Sequence, residues 1–195
     1  MTNGQSSEET PARALQCCDG PMTTYLLPGR ETVLKAVSAA LRNVATRDKV
    51  LFTLQAHELT LVHRFGVYLE THLQRELRQY GLTIDFDYDR SGRSRKLLPP
   101  RSGRDDERRF RPDLIVHRRL VDKQNLLVVE WKKNAKGPVL KGLEERIRSL
   151  VVSNHEHPSY GYQVGVLVNS SDNAVRWRAF DSAGPLENWQ RISCS

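Results

Sequence analysis

Cysteine is scarce in this chain, and the three that occur, Cys17, Cys18 and Cys194, lie near its two ends. An adjacent pair and one distant residue match neither a structural zinc site nor a disulfide framework. The sequence also has no apolar run of the ~20 residues that a membrane-spanning helix needs. Its N-terminus lacks the apolar stretch of a signal peptide. We therefore expect a cytoplasmic protein from a reducing compartment, without a membrane partner.

Two further classes of site are missing from the sequence. The six histidines form no metal set, because residues 155–157, His-Glu-His, have no third ligand at a useful spacing. No Gly-rich loop of the kind that holds ATP phosphates occurs. Since every cysteine lies near a chain end, a Cys–His nucleophile is not indicated either.

Positive charge exceeds negative charge and is concentrated in one segment. The chain has a net charge of +7. Between positions 90 and 111, basic residues outnumber acidic ones by nine to three. These basic residues are Arg90, Arg93, Arg95, Lys96, Arg101, Arg104, Arg108, Arg109 and Arg111. Such an excess favours an anionic partner, and we interpret the segment as an arm that contacts nucleic-acid phosphates. The alternative is a solvated loop without a role.

The length suits one domain preceded by a polar tail. We predict a disordered tail over residues 1–29 and one domain over residues 30–195, with the basic loop at 89–111. Apolar residues at helical spacing predict helices over 31–46, 57–80 and 139–151. Apolar and alternating runs predict strands over 83–88, 114–116, 126–132, 162–168 and 174–180. We therefore expect an α/β domain with a mixed central sheet flanked by helices.

An acid begins the second predicted strand, and an acid–x–base triplet ends the third. Asp113 follows Pro112, and the third strand closes with Glu130-Trp131-Lys132. Residues two apart in a strand share a face, so Glu130 and Lys132 should point the same way and Trp131 the opposite way. A short turn would bring Asp113 beside them. Two carboxylates and an ammonium can hold a hard divalent cation and position water on a phosphodiester.

Each acid also has a simpler interpretation. Asp113 could be a turn residue that pairs with a nearby arginine, and Glu130 could form an ion pair with Lys132 at the end of the strand. Glu58 lies within ~40° of the apolar stripe of the second helix, which places it on the inward face. It could equally be a first-turn glutamate favoured by the helix dipole. Asp87 reaches the same place only if its strand neighbours that of Asp113, and it is otherwise a surface acid.

These motifs resemble the signature of the PD-(D/E)xK phosphodiesterase superfamily, the restriction-endonuclease-like nucleases. The resemblance covers about Glu58 to Val168. Within it, four segments are similar to a group of small bacterial nuclease-like proteins: residues 58–69, 85–90, 111–119 and 125–133. The resemblance implies a restriction-endonuclease-like core of αβββαβ order, here with an extra N-terminal helix.

The resemblance also implies roles for particular residues. Asp113 and Glu130 would hold Mg²⁺ or Mn²⁺, together with the backbone carbonyl of Trp131, and Glu58 would complete the shell. Lys132 would orient or deprotonate the attacking water, or stabilise the charge of the transition state. Further residues that could belong to the site are Asp87 and Gln163, since family members often carry a Gln on that late strand.

Together these observations predict a Mg²⁺-dependent nuclease that acts on DNA and leaves 5′-phosphate and 3′-hydroxyl ends. Two alternatives stay open. One is a nucleic-acid-binding or scaffold protein that has the fold without turnover. The other is a structure-selective resolvase of DNA junctions, which would act as a homodimer.

Overall fold

The computed structural model of the protein describes residues 27–88, 90–91, 94–95, 97–98, 108–109, 111–121, 124–151 and 160–194. Of the predicted tail, residues 1–26 lie outside this set, as does the His-Glu-His segment at 155–157. Four of the basic residues also lie outside it: Arg93, Lys96, Arg101 and Arg104. For four others only the backbone is described: Arg90, Arg95, Arg108 and Arg109.

The three predicted helices are present, and a short fourth one was not predicted. They are α1 (Arg30–Arg47), α2 (Lys49–Thr53), α3 (Glu58–Tyr80) and α4 (Gly137–Val151). The His57 ring accepts a hydrogen bond from the Leu59 amide and caps the start of α3. Gly81, with a φ of 61°, ends this helix in the left-handed conformation that glycine adopts without strain.

The described chain contains the five predicted strands at about their predicted positions and six further strands of two to four residues that were not predicted. The strands are β1 (Thr83–Phe86), β2 (Arg90–Ser91), β3 (Ser94–Arg95), β4 (Leu97–Leu98), β5 (Arg108–Arg109), β6 (Leu114–His117), β7 (Asn125–Lys133), β8 (Val164–Ser171), β9 (Ala174–Asp181), β10 (Gly184–Pro185) and β11 (Gln190–Ser193). Strand β1 ends earlier than predicted because Asp87 turns the chain with a φ of 47°. The segment predicted as a basic loop contains two short antiparallel ladders, β2–β3 and β4–β5.

The remaining strands form one mixed sheet, which confirms the predicted α/β class. Their order is β1–β6–β7–β8–β9, and β10 and β11 both pair with β9. Only β7 and β8 pair in parallel among these described strands. A parallel pair needs a crossover connection, and α4 lies in it between β7 and β8.

Helices cover both faces of the central strand. Helices α1 and α3 pack on one face, where Phe65 contacts Trp131 with 6.0 Å between ring centroids. Helix α4 packs on the other face against Val128 and Leu167. The first seven residues of β7 are buried, as expected for a strand covered on both sides. No helix in the described ranges is long and apolar enough to cross a membrane.

Candidate active site

Three acids and a lysine lie at one end of the central sheet. Strands β6 and β7 are antiparallel, and one further step of their register places Asp113, which precedes β6, opposite Glu130. Helix α3 begins at Glu58, which contacts the end of β7 at Lys132. The strand order and the start of α3 therefore bring together the four side chains that the sequence singled out.

Asp113 is bonded to the backbone of the central strand. Its Oδ2 accepts a hydrogen bond from the Trp131 amide at 2.6 Å. Burial raises the pKa of Asp113 above its ordinary value, although the Trp131 amide and the Lys132 charge act in the opposite direction. In an extended strand the N–H and C=O of one residue point to the same side. The Trp131 carbonyl therefore points toward the side on which Asp113 lies, as a shared cation site would require.

Glu130 is a buried acid with an unsatisfied oxygen. The residue is 2% exposed, and its Oε2 lies 3.8 Å from Nη1 of Arg146 on α4. Its Oε1 is buried and has no hydrogen-bond partner among the described residues. Burial, followed by repulsion from Asp113, raises the pKa of Glu130 to about 8. Leaving such an oxygen unpaired is costly unless a ligand satisfies it.

Lys132 pairs with Glu58, not with Glu130 as the simpler interpretation held. Its Nζ donates to Oε2 of Glu58 at 2.8 Å, and Oε1 of Glu58 accepts from the Lys133 amide at 2.9 Å. Burial lowers the pKa of Lys132, but the hydrogen bond to Glu58 and the nearby carboxylates outweigh it, so the pKa lies above its ordinary value. The lysine is therefore charged at neutral pH.

Asp87 and Arg111 lie beside the site on its exposed side. The Asp87 amide donates to the Asp113 carbonyl at 3.3 Å, because β1 and β6 are neighbours. The Asp87 carboxylate lies 3.5 Å from Nη1 of Arg111, and both side chains are more than half exposed. Asp87 also acts electrostatically on Asp113 by raising its pKa. Both residues are thus close to the carboxylates but face solvent.

Gln163 is not brought to this end of the sheet. Its backbone N–H donates to the backbone carbonyl of Asn125, the first residue of β7. Glu130 lies five residues further along that strand, about 16 Å away at ~3.3 Å per residue. Because β8 runs parallel to β7 and begins after Gln163, this glutamine lies at the opposite end of the two strands.

Two residues near the site were missed by sequence reasoning. Arg146 precedes Ile147, a sheet-facing residue of α4, so it lies at the margin of the buried stripe and gave no distinct signal. Asn169 aligns with Lys132 across the β7–β8 pair, and its side chain bonds both the N–H and the C=O of Ala135. A buried Asn directly after the apolar run of β8 was the available sign of this anchor.

The described residues do not form a complete set of metal ligands. In the described part of the chain, no three His, Cys, Asp or Glu side chains are grouped so that they could hold a metal ion. Glu58 is already bonded to Lys132 and to the Lys133 amide. The unpaired Oε1 of Glu130 beside Asp113 nevertheless supplies hard oxygen donors of the kind that Mg²⁺ and Mn²⁺ bind.

No protein-family model, curated protein or solved structure matches this chain.

Proposed function

We propose that the protein is a Mg²⁺- or Mn²⁺-dependent nuclease that hydrolyses phosphodiester bonds in DNA, built on the restriction-endonuclease-like core of the PD-(D/E)xK superfamily. The order α3, β1, β6, β7, α4, β8 supports the αβββαβ core, with β2–β5 as an excursion. The observation that carries the proposal is the unpaired, buried Oε1 of Glu130 next to Asp113, with the charged Lys132 at the same end of the sheet.

The residues that suit a divalent cation are Asp113, Glu130 and the Trp131 carbonyl. Glu58 would join them only by releasing its hydrogen bonds to Lys132 and the Lys133 amide, so we assign it to positioning Lys132. A bound divalent cation supplies Lewis-acid polarisation of the phosphoryl group and offsets negative charge on its oxygens.

The protein side chains contribute orientation and charge. The Lys132 ammonium, fixed by Glu58, stabilises negative charge that develops on the phosphate oxygens in the transition state. Its raised pKa favours this role over that of a general base. The oxygen of Glu130 that no described residue bonds can accept a hydrogen bond from the attacking water.

Cleavage of supercoiled plasmid tests the proposal directly. The parent protein should nick or linearise the plasmid with Mg²⁺ or Mn²⁺ and should not do so with EDTA. Asp113→Asn keeps an oxygen that can accept the hydrogen bond from the Trp131 amide but removes the negative charge. The variant should therefore fold and fail to cut. Asp172→Asn, in the exposed β8–β9 turn, is the matched control. Cutting by Asp113→Asn at the parent's rate would contradict the proposal.

The alternative is a protein that binds nucleic acid without cutting it. It is favoured by one observation, that Glu58 and Asp113 already accept hydrogen bonds from protein donors. DNA binding by the parent protein, with no cleavage of plasmid, linear, single-stranded or branched DNA in Mn²⁺, would support this alternative. Cleavage of branched DNA alone by a dimeric species would instead support the junction resolvase.

A further inference from the structure

A pair of arginines forms a second cationic feature on the face of the sheet that carries Lys132. The register of β9 and β11 places Arg176 directly opposite Arg191, and both are exposed. Like charges directly opposite each other destabilise an antiparallel pair. No acidic side chain in the described part of the chain pairs with either, whereas the nearby Arg178 pairs with Glu144 at 3.3 Å. The pair therefore has no counter-charge among the described residues, and a bound anion could provide one.

The aromatic ring of Trp189 lies against the guanidinium group of Arg176. The Cζ of Arg176 lies 5.3 Å from the ring centroid of Trp189, within cation–π distance. Trp189 in turn packs against the apolar cluster under α4. A guanidinium restrained in this way loses less freedom when it binds, and its fork of donors fits phosphate oxygens.

The arginine pair aligns with the candidate active site. Lys132 is in register with Asn169, Asn169 with Arg176, and Arg176 with Arg191, in one row across four strands. At ~4.8 Å between strands, the backbones of Arg176 and Arg191 lie about 10 and 14 Å from that of Lys132. That distance corresponds to a few nucleotides of a strand that runs from the site to the edge of the sheet.

The connection between β7 and α4 crosses this row. Asn169 bonds the backbone of Ala135 through both atoms of its amide, so the chain that follows β7 lies over the middle of the row. The next residue, Lys136, is exposed. A DNA strand that passed over this point would meet the ammonium of Lys136 between Lys132 and the arginine pair.

We propose that Arg176 and Arg191, with Trp189 supporting Arg176, form a phosphate clamp that binds the sugar–phosphate backbone of the DNA substrate a few nucleotides from the cleaved bond. The clamp rests on the proposed function, because it assumes that DNA occupies the active site. It adds a place where the substrate is held, outside the carboxylates and outside the basic segment that the sequence singled out.

The test compares two double variants, Arg176→Ala/Arg191→Ala and Arg42→Ala/Arg75→Ala. The control removes two exposed arginines from α1 and α3, which lie on the other face of the sheet. Affinity for a labelled DNA duplex is measured by fluorescence anisotropy in EDTA over a series of salt concentrations. Loss of two phosphate contacts should reduce the slope of log K against log salt by about 1.8 in magnitude, with roughly tenfold weaker binding at low salt. The control should change both quantities less.

Substitutions of the tryptophan test its supporting role. Trp189→Leu should weaken binding partly, and Trp189→Phe should retain most of the affinity because an aromatic face remains. Circular dichroism and melting temperature, measured on every variant, show whether any loss comes from unfolding.

The outcomes separate the clamp from the nuclease. If the parent cuts DNA but the clamp variant keeps the parent's affinity and salt slope, the clamp is wrong and the nuclease proposal stands. If the clamp variant loses affinity while the parent binds but never cuts, the two arginines contact DNA phosphates as proposed, but the nuclease proposal fails and with it the placement of the clamp relative to a cleaved bond. If the parent binds no DNA, both are overturned, including the case in which the arginines bind an acidic protein.

Discussion

The Lys132 ammonium lies 2.8 Å from Oε2 of Glu58, which joins the end of the central strand to the first residue of helix α3. The second oxygen of Glu58 accepts a hydrogen bond from the backbone N–H of Lys133 at 2.9 Å. One carboxylate therefore fixes both a side chain and the backbone that follows it. A long lysine side chain loses substantial conformational freedom when it is held, and this contact orders it before any substrate binds.

Removing the Lys132 charge should abolish most of the activity without preventing folding. Lys132→Gln keeps the length of the side chain to within one bond but removes the cation that we assign to transition-state stabilisation. We expect cleavage to slow by about 100-fold or more, measured under single-turnover conditions. Lys141→Gln, at an exposed position on α4, is the control. Glu58→Gln should slow cleavage less, because Lys132 keeps its charge and loses only its fixed position.

Metal binding should be detectable without any nuclease assay. Mn²⁺ should raise the melting temperature of the parent protein, since a ligand at 100 times its Kd adds about 2.7 kcal/mol of stability. Asp113→Asn and Glu130→Gln should lose most of this shift and most of the heat in calorimetric titration. Asp172→Asn should behave like the parent. An equal Mn²⁺ shift in all four proteins would mean that these carboxylates do not hold the metal.

The buried Glu130 should make the metal-free protein less stable as the pH rises. Burial and Asp113 raise the folded pKa to about 8 from an ordinary value of 4.5. Between these values the unfolded chain ionises while the folded state keeps its proton, so the contribution of Glu130 to stability is greatest below pH 4.5 and is lost as the pH rises through 8. Each pKa unit corresponds to about 1.4 kcal/mol.

Glu130→Gln removes this pH dependence because it cannot ionise. In EDTA, urea denaturation should find this variant close to the parent at pH 5 and more stable than the parent by several kcal/mol at pH 9. Glu145→Gln, an exposed position on α4, should show no such trend. A difference between Glu130→Gln and the parent that stays constant from pH 5 to pH 9 would contradict the pKa argument.

The main elements, and the faces on which Glu58, Glu130 and Lys132 lie, could be predicted from periodicity. The period-2 argument correctly placed Glu130 and Lys132 on one face and Trp131 on the other, where it packs against Phe65. The inward orientation of Glu58 followed from its angle to the apolar stripe. Both arguments depend only on local geometry, which neighbouring residues in the sequence determine.

The partners of these groups could not be predicted, because they depend on distant contacts. That Lys132 pairs with Glu58 and not with Glu130 is set by where α3 begins relative to β7. Gln163 was named as a further residue that could belong to the site, but the register of a parallel pair, which the sequence does not encode locally, places it at the other end. The short strands β10 and β11, and the opposed pair Arg176–Arg191, likewise arise from turns at the end of the chain.

Gly66 provides space for the ring of Phe86, and the two residues should be energetically coupled. A Cβ at Gly66 would lie 2.3 Å from Cζ and 2.5 Å from Cε1 of Phe86, the last residue of β1. Gly66→Ala should therefore destabilise the parent by about 1–2 kcal/mol through overpacking. Without that ring the remaining close neighbour is Cδ1 of Leu114 at 3.1 Å, which must shift slightly. The same substitution should then cost clearly less, because alanine is also the better helix former. Urea denaturation of the parent, Gly66→Ala, Phe86→Ala and the double variant completes the cycle. Gly66→Ala should cost clearly less in the Phe86→Ala background than in the parent, and equal effects in both would show that Phe86 does not require this glycine.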